Sequence, residues 1–238
     1  MTSGTYILYP QEVKKAENPT KDWATSHIRT FHARHGRLSD RRKHLASHIV
    51  PQYDIVNLRP PIDLREHLNR DFIVIDFGCG MGDHTEAMAA KHPDWGILAM
   101  DVHTPGVCDV AHLAHTNGLG NVALHLGDGI DILRDYLAPN TIDEVHVLFP
   151  DPWPKARHNK RRVLRESFLE LLSRILVPTG RVHMVTDDDN YADHIRDLLD
   201  NSSLFAQIDA GFEVPDTAYH RRALRLGHTV HTYSAQLQ

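Results

Sequence analysis

A chain of 238 residues, 41% hydrophobic and 24% charged, is long enough to bury a sizeable core without staples. No apolar run approaches the roughly 20 residues that cross a bilayer, so no membrane partner is expected. The net charge of −5 excludes a uniformly basic polyelectrolyte, and two cysteines, Cys79 and Cys108, exclude a disulfide scaffold and fit a reducing, cytoplasmic setting.

The start of the chain lacks the charged-then-apolar pattern of a signal peptide. Residues 1–60 show weak periodicity and read as a basic extension with little core of its own, closed by Pro60-Pro61. Residues 61–238 alternate between apolar runs and helical patterns. Phe72–Phe77 reads as a buried strand, His84–Lys91 as a helix, Gly96–Met100 as a strand and Val107–Thr116 as a helix. Val122–Leu126 is a third strand, Ile130–Leu137 a short helix and Ile142–Phe149 a fourth strand. Lys160–Leu176 reads as one helix, with Leu164, Phe168, Leu171, Leu172 and Ile175 on a single face. Arg181–Thr186 is a fifth strand and Asp189–Leu199 a helix. Two late strands follow, near Leu204–Ile208 and His228–Ala235, with no helix expected between them, so one of them can run antiparallel. Repeated β-α units predict an α/β fold: a doubly wound, mostly parallel, Rossmann-like sheet of about seven strands, with ligands outside the carboxyl ends of the strands.

The first strand runs into Asp76-Phe77-Gly78-Cys79-Gly80-Met81-Gly82. Glycines between a strand and a helix let the backbone approach a ligand closely. The spacing is G-x-G-x-G, with Asp83 where a dinucleotide loop has its third glycine. A carboxylate at Asp76 would repel a pyrophosphate but accept from an ammonium group. Asp101 ends the second strand and suits two ribose hydroxyls; Asp128 ends the third. Each of the two also reads as a helix cap. Scattered among 19 histidines there is no HExxH or paired Cys/His spacing, so no metal site is expected.

Charge is uneven. Lys21–Leu45 holds seven Lys/Arg against two Asp, and Lys155–Arg165 holds six with no acid. The second patch lies in Phe149–Arg162 (FPDPWPKARHNKRR), where Pro150, Pro152 and Pro154 stiffen the backbone. Cations at the start of a helix oppose its dipole, which points to an anionic partner such as phosphate. Trp153 and Tyr219 read equally as base-stacking or packed aromatics.

The acid-x-G-x-G-x-G pattern resembles the first motif of class I methyltransferases, whose cofactor, S-adenosyl-L-methionine, carries an ammonium and no phosphate. The FPDPW…RHNKRR segment resembles the bacterial tRNA (guanine-N7-)-methyltransferase family. The likeness extends to Arg29-Thr30-Phe31 through Arg34-His35-Gly36-Arg37-Leu38, to Thr186-Asp187 with Tyr191-Ala192, and to Arg225-Leu226-Gly227-His228. It implies that 61–238 is the methyltransferase domain and that tRNA is the partner, with no obligate protein partner. It implies that Gly78, Gly80, Gly82, Asp76, Asp101, Asp128 and Asp151 border the cofactor, with Asp151 also catalytic. Lys155, Asp187, Thr217 and His220 would meet the substrate, Asp187 reading equally as a helix cap. Arg157, His158, Asn159, Lys160, Arg161 and Arg162 would meet RNA. His220 stands where the family usually has Glu, and Asp76 where it usually has Glu. The competing expectation is a class I methyltransferase acting on another RNA or on a non-RNA substrate.

Overall fold

The computed structural model describes residues 30, 31 and 38–238. Arg29, Arg34, His35, Gly36 and Arg37, singled out in the N-terminal motif, lie outside the described residues, as does most of the basic extension.

Seven strands form one sheet in the order β3-β2-β1-β4-β5-β7-β6. They are β1 (Phe72–Phe77), β2 (Trp95–Asp101), β3 (Val122–Leu126), β4 (Ile142–Leu148), β5 (Leu176–Thr186), β6 (Phe205–Ile208) and β7 (His231–Leu237). Strands β1 to β5 are mutually parallel, and β7 runs antiparallel between β5 and β6. The order reverses between β1 and β4, which opens a crevice beyond their carboxyl ends.

Strands covered on both faces read as continuous apolar runs. Ile73 and Ile75 of β1 join one core with Leu98, Val145, Met184 and Phe168. Val74, between them in sequence, points into the other core with Ile97, Val107 and Leu124. The helices of the βα units are α4 (Asp83–Lys91), α5 (Thr104–Asn117), α6 (Gly129–Asp135), α7 (Glu166–Ile175) and α8 (Asp189–Asp200). Gly118 ends α5 in the left-handed conformation, as a helix C-terminus favours.

Three expectations are corrected. First, the part of the extension from Asp40 to Leu58 packs onto the domain. It forms α1 (Asp40–His44), a π-helical turn (Leu45–Ile49), α2 (Val50–Tyr53) and a 3₁₀ turn (Ile55–Asn57), followed after Pro61 by α3 (Leu64–Leu68). Leu45, Val50 and Ile55 are buried, Arg42 pairs with Asp109 of α5 at 2.6 Å, and the Asp54 carboxylate contacts His125 Nδ1 and accepts from Leu126 N–H. Second, Lys160–Leu176 is not one helix. Ala156–Arg161 is a 3₁₀ helix, and α7 starts only at Glu166. Between them the Leu164 N–H donates to Tyr191 Oη instead of to a helical carbonyl. The basic residues therefore do not crowd the start of α7. Third, a helix, α9 (Ala218–Leu226), lies between the two late strands. Thr217 caps its first turn by accepting from His220 N–H, and Gly227 ends it at positive φ. Those cap signals are in the sequence, as are apolar residues at helical spacing (Tyr219, Ala223 and Leu226), though only Ala223 of α9 is buried.

Candidate active site

The glycine loop turns at Gly78, Gly80 and Gly82, each at positive φ. Gly78 and Cys79 N–H donate to Met100 O at 2.8 and 3.0 Å, which pins the loop across the end of β2. A Cβ on Gly82 would lie 2.2 Å from the Val110 side chain. Gly106, which the sequence reading passed over, is tighter still: a Cβ there would meet Gly80 O at 1.6 Å. The start of α5 can approach the loop only because Gly106 has no side chain.

The Asp101 carboxylate accepts from Gly80 N–H at 2.8 Å and from His103 N–H at 2.7 Å. Burial pushes its carboxyl up, opposed by those two backbone hydrogen bonds. It therefore braces the loop, and the residue preceding α5 is His103, not Asp101. Asp128 does act as a cap, accepting from Ile130 N–H at the start of α6. Asp76 is 2% exposed and accepts from Thr85 Oγ1 at 2.6 Å. Burial, with Asp76 and Asp101 nearby, pushes the Cys79 thiol well up. Cys79 is therefore an uncharged packing group and not a nucleophile.

A cleft opens over this loop. Its walls include Gly78, Gly80, Asp101, Asp128, Phe149, Asp151 and Tyr219, with Thr30 and Phe31 arriving from the N-terminal segment. Three carboxylates and no Lys or Arg line it among the described residues. An adjoining recess is bordered by Asp76, Asp83, His84 and Thr217. The structure thus gathers Gly78, Gly80, Asp101, Asp128 and Asp151 at one cleft and Asp76 and Thr217 beside it.

Asp151 sits between Phe149 and Trp153, both at positive φ, 49° and 48°. Bulky side chains rarely adopt that conformation, and it costs on the order of 1–3 kcal/mol at each residue. Trp153 is 3% exposed and its Nε1–H donates to Thr30 O at 3.1 Å, so it is a packed anchor and not a stacking platform. Tyr219 is 48% exposed and lies parallel to Phe149 at 6.4 Å. His220 contacts Pro215 O through Nδ1 and also stacks near Phe149.

Outside the cleft, Lys155, Arg157 and Lys160 are exposed, and Arg161 lies over the Trp153 ring at 4.9 Å. His158 and Asn159 are half-buried in the same turn. Arg162 is corrected as an RNA-facing residue: it is 1% exposed. Its Nε–H donates to Pro152 O, its Nη2 donates to Asn190 Oδ1 at 2.6 Å, and its guanidinium lies 4.6 Å from the Tyr191 ring centre. It braces the proline loop from within. Asp187 pairs with His228 Nδ1 at 2.9 Å, and the capping role open to it falls to Asp188. Asp187 and Lys155 line neither the cleft nor the recess.

A sheet of this order with a glycine turn after β1 and acids at the ends of β1 to β3 defines a class I methyltransferase. The family model Methyltransf_4, described as "Putative methyltransferase", matches residues 70–233. A tRNA (guanine-N(7)-)-methyltransferase of Nitrosospira multiformis is 36% identical over 85% of this chain and 91% of its own. One of Streptomyces avermitilis is 39% identical over 79% and 67%. The solved aminoglycoside resistance methyltransferase NpmB1 shares the fold, with a TM-score of 0.53 at 17% identity over 74% of this chain and 92% of its own. The chain belongs to the tRNA (guanine-N7)-methyltransferase family.

Proposed function

We propose that this protein transfers the methyl group of S-adenosyl-L-methionine to N7 of a guanosine in tRNA, the variable-loop guanosine being its target, and that it does so in the cytoplasm. The observation that carries the reading is the charge of the cleft: three carboxylates, no Lys or Arg among the described residues, and a glycine turn. Such a site repels polyphosphates and suits a nucleoside bearing cationic groups. The residues fit that cofactor. Gly78 has open space where a Cβ would be, and Asp101 and Asp128 stand at the ends of neighbouring strands to accept from its hydroxyl and amino groups. When bound, the cofactor supplies an activated sulfonium methyl group.

Guanine N7 already exposes a lone pair, so no side chain needs to remove a proton before attack. What remains is placement and electrostatics. Asp151, held between two strained residues at the rim, positions the base and offsets the positive charge that grows on it. Thr217 and His220, with Lys155 and Asp187 further out, support the bound nucleoside. Arg157, Lys160 and Arg161, with His158 and Asn159, meet the RNA backbone beside the cleft. The test is transfer from labelled cofactor to unmodified tRNA, followed by nucleoside analysis. Label in 7-methylguanosine is the expected result; label in another nucleoside, or none, overturns the assignment.

A further inference from the structure

One face of the sheet carries polar side chains where an apolar layer is usual. Register sets Asp76 beside His146, His146 beside His183 and His183 beside Ser234, across β1, β4, β5 and β7. Glu144 precedes His146 by two residues on β4 and so shares its face. The opposite face of the same strands carries Val145, Val147, Val182 and Met184 in the main core.

Glu144, His146 and His183 each offer one donor atom, all within 4.8 Å of one another. His146 Nε2 lies 3.2 Å and His183 Nε2 3.6 Å from Glu144 Oε2. Tetrahedral zinc, with ligand bonds of about 2.0–2.1 Å, places its ligand atoms roughly 3.3–3.5 Å apart. Two of the three edges therefore stand close to the required length. The far nitrogen of each ring is already engaged: His146 Nδ1 lies 2.8 Å from His84 Nε2, and His183 Nδ1 lies 2.8 Å from Ser234 Oγ. Outer hydrogen bonds of this kind orient metal-binding imidazoles. His146 and His183 are each 3% exposed. Phe212 stacks on His183 at 4.3 Å and stands edge-on to His146, and Arg181 Nη1, opposite on β5, lies 3.9 Å from Glu144 Oε1.

A second observation comes from His84, 8% exposed, whose Nδ1 finds no hydrogen-bond partner among the described residues. Because its Nε2 faces His146, this atom stands at the outer end of the line of rings, away from Glu144. Burial lowers His84 to about 4 and also lowers His183. Burial pushes the Glu144 carboxyl up, but hydrogen bonds from His146 and His183 outweigh it and hold the group well below its ordinary range.

We propose that Glu144, His146 and His183 form a three-ligand zinc site, completed by solvent, that clamps β4 to β5. Two nitrogens and one carboxylate suit Zn²⁺ better than Mg²⁺ or Ca²⁺, which prefer all-oxygen shells. None of the three residues borders the methyl-transfer cleft, so the site is structural. Sequence spacing conceals it, because a Glu-x-His pair on one strand is completed by a histidine 37 positions later on its neighbour.

The full-length protein, stripped with a chelator and desalted, is titrated with Zn²⁺ against a chromophoric competitor and separately loaded with Co²⁺. One equivalent is expected to bind at micromolar strength or tighter. Cobalt should give the intense visible bands of a four-coordinate site. A hundredfold excess of zinc over its Kd should raise Tm by roughly 5–10 °C. His146→Gln and His183→Gln should each weaken binding by about 100-fold or more, and Ser234→Ala by about tenfold, the scale of an outer partner. No stoichiometric uptake by folded wild-type protein overturns the proposal. So does wild-type affinity in either histidine variant, since other histidines would then hold the metal. If those variants do not fold, Glu144→Gln decides: undiminished zinc affinity and unchanged cobalt bands in that folded variant overturn it equally.

Discussion

Asp83 Oδ2 accepts a hydrogen bond from the Ala218 backbone N–H at 2.9 Å, joining the first residue of α4 to the first residue of α9 across 135 positions of sequence. The same oxygen takes an ion pair from Arg221 at 3.0 Å. Asp83 sits one residue after the last loop glycine, so α9 is tethered directly to the cofactor loop. That tether brings Tyr219 over Gly80, where a Cβ would lie 3.5 Å from the Tyr219 ring.

Cutting the tether should loosen α9 without unfolding the sheet. Asp83→Ala removes both contacts, yet its side chain is 34% exposed, so the stability loss should stay near 1 kcal/mol. Turnover at subsaturating tRNA should fall about tenfold, because a small misplacement of positioning groups is costly. Steady-state kinetics together with urea unfolding checks this. A variant as active as wild type would mean that α9 holds its place by other contacts.

The close approach at Gly106 is unforgiving. Gly106→Ala sets a methyl group against the Gly80 carbonyl, and backbone must move to relieve it. S-adenosylhomocysteine affinity should drop at least tenfold by calorimetry, while far-UV circular dichroism stays native. Gly80→Val should abolish binding, since a β-branched residue is an outlier at φ 58°. Undiminished affinity in both variants would remove the loop from the cofactor site.

Asp151→Asn preserves shape and removes charge. Single-turnover rates should fall by roughly two orders of magnitude, the scale for loss of one preorganised electrostatic group, with cofactor affinity nearly unchanged. Because N7 carries no proton, the defect should persist from pH 6 to 9. Recovery at high pH would instead assign Asp151 to proton transfer.

The arginines of the basic turn should separate into two kinds. Arg157→Ala with Arg161→Ala should weaken tRNA binding and lower the slope of log K against log salt by roughly 1.4–1.8, about 0.7–0.9 per lost phosphate contact. Tm should barely move. Arg162→Ala should do the reverse. It strands Pro152 O and Asn190 Oδ1 and removes packing on Tyr191, at about 3 kcal/mol or roughly 6–12 °C in Tm. Filter binding across salt and thermal unfolding read the two effects separately.

Much of the fold was legible because its causes are local. Apolar runs bounded by turn residues placed β1 and β3 to the residue, since strand burial repeats along the chain itself. The glycine turn and the acids at the strand ends were equally readable, as was the FPDPW segment that carries the family likeness. Local signals misled where a distant partner intervened. Lys160–Leu176 has helical periodicity throughout, but Tyr191 and Asn190 capture Leu164 N–H and the Arg162 side chain, and the helix breaks between them. Six basic residues looked alike in sequence; which of them faces solvent and which is a buried brace depends on the wall supplied by α8. The register of β4 against β5 brings Glu144 and His146 to His183, and long-range contacts such as the Asp83 bond hold α9 over the loop. A side chain's direction and its long-range partner depend on which surfaces the folded chain packs together, and a linear pattern does not encode that.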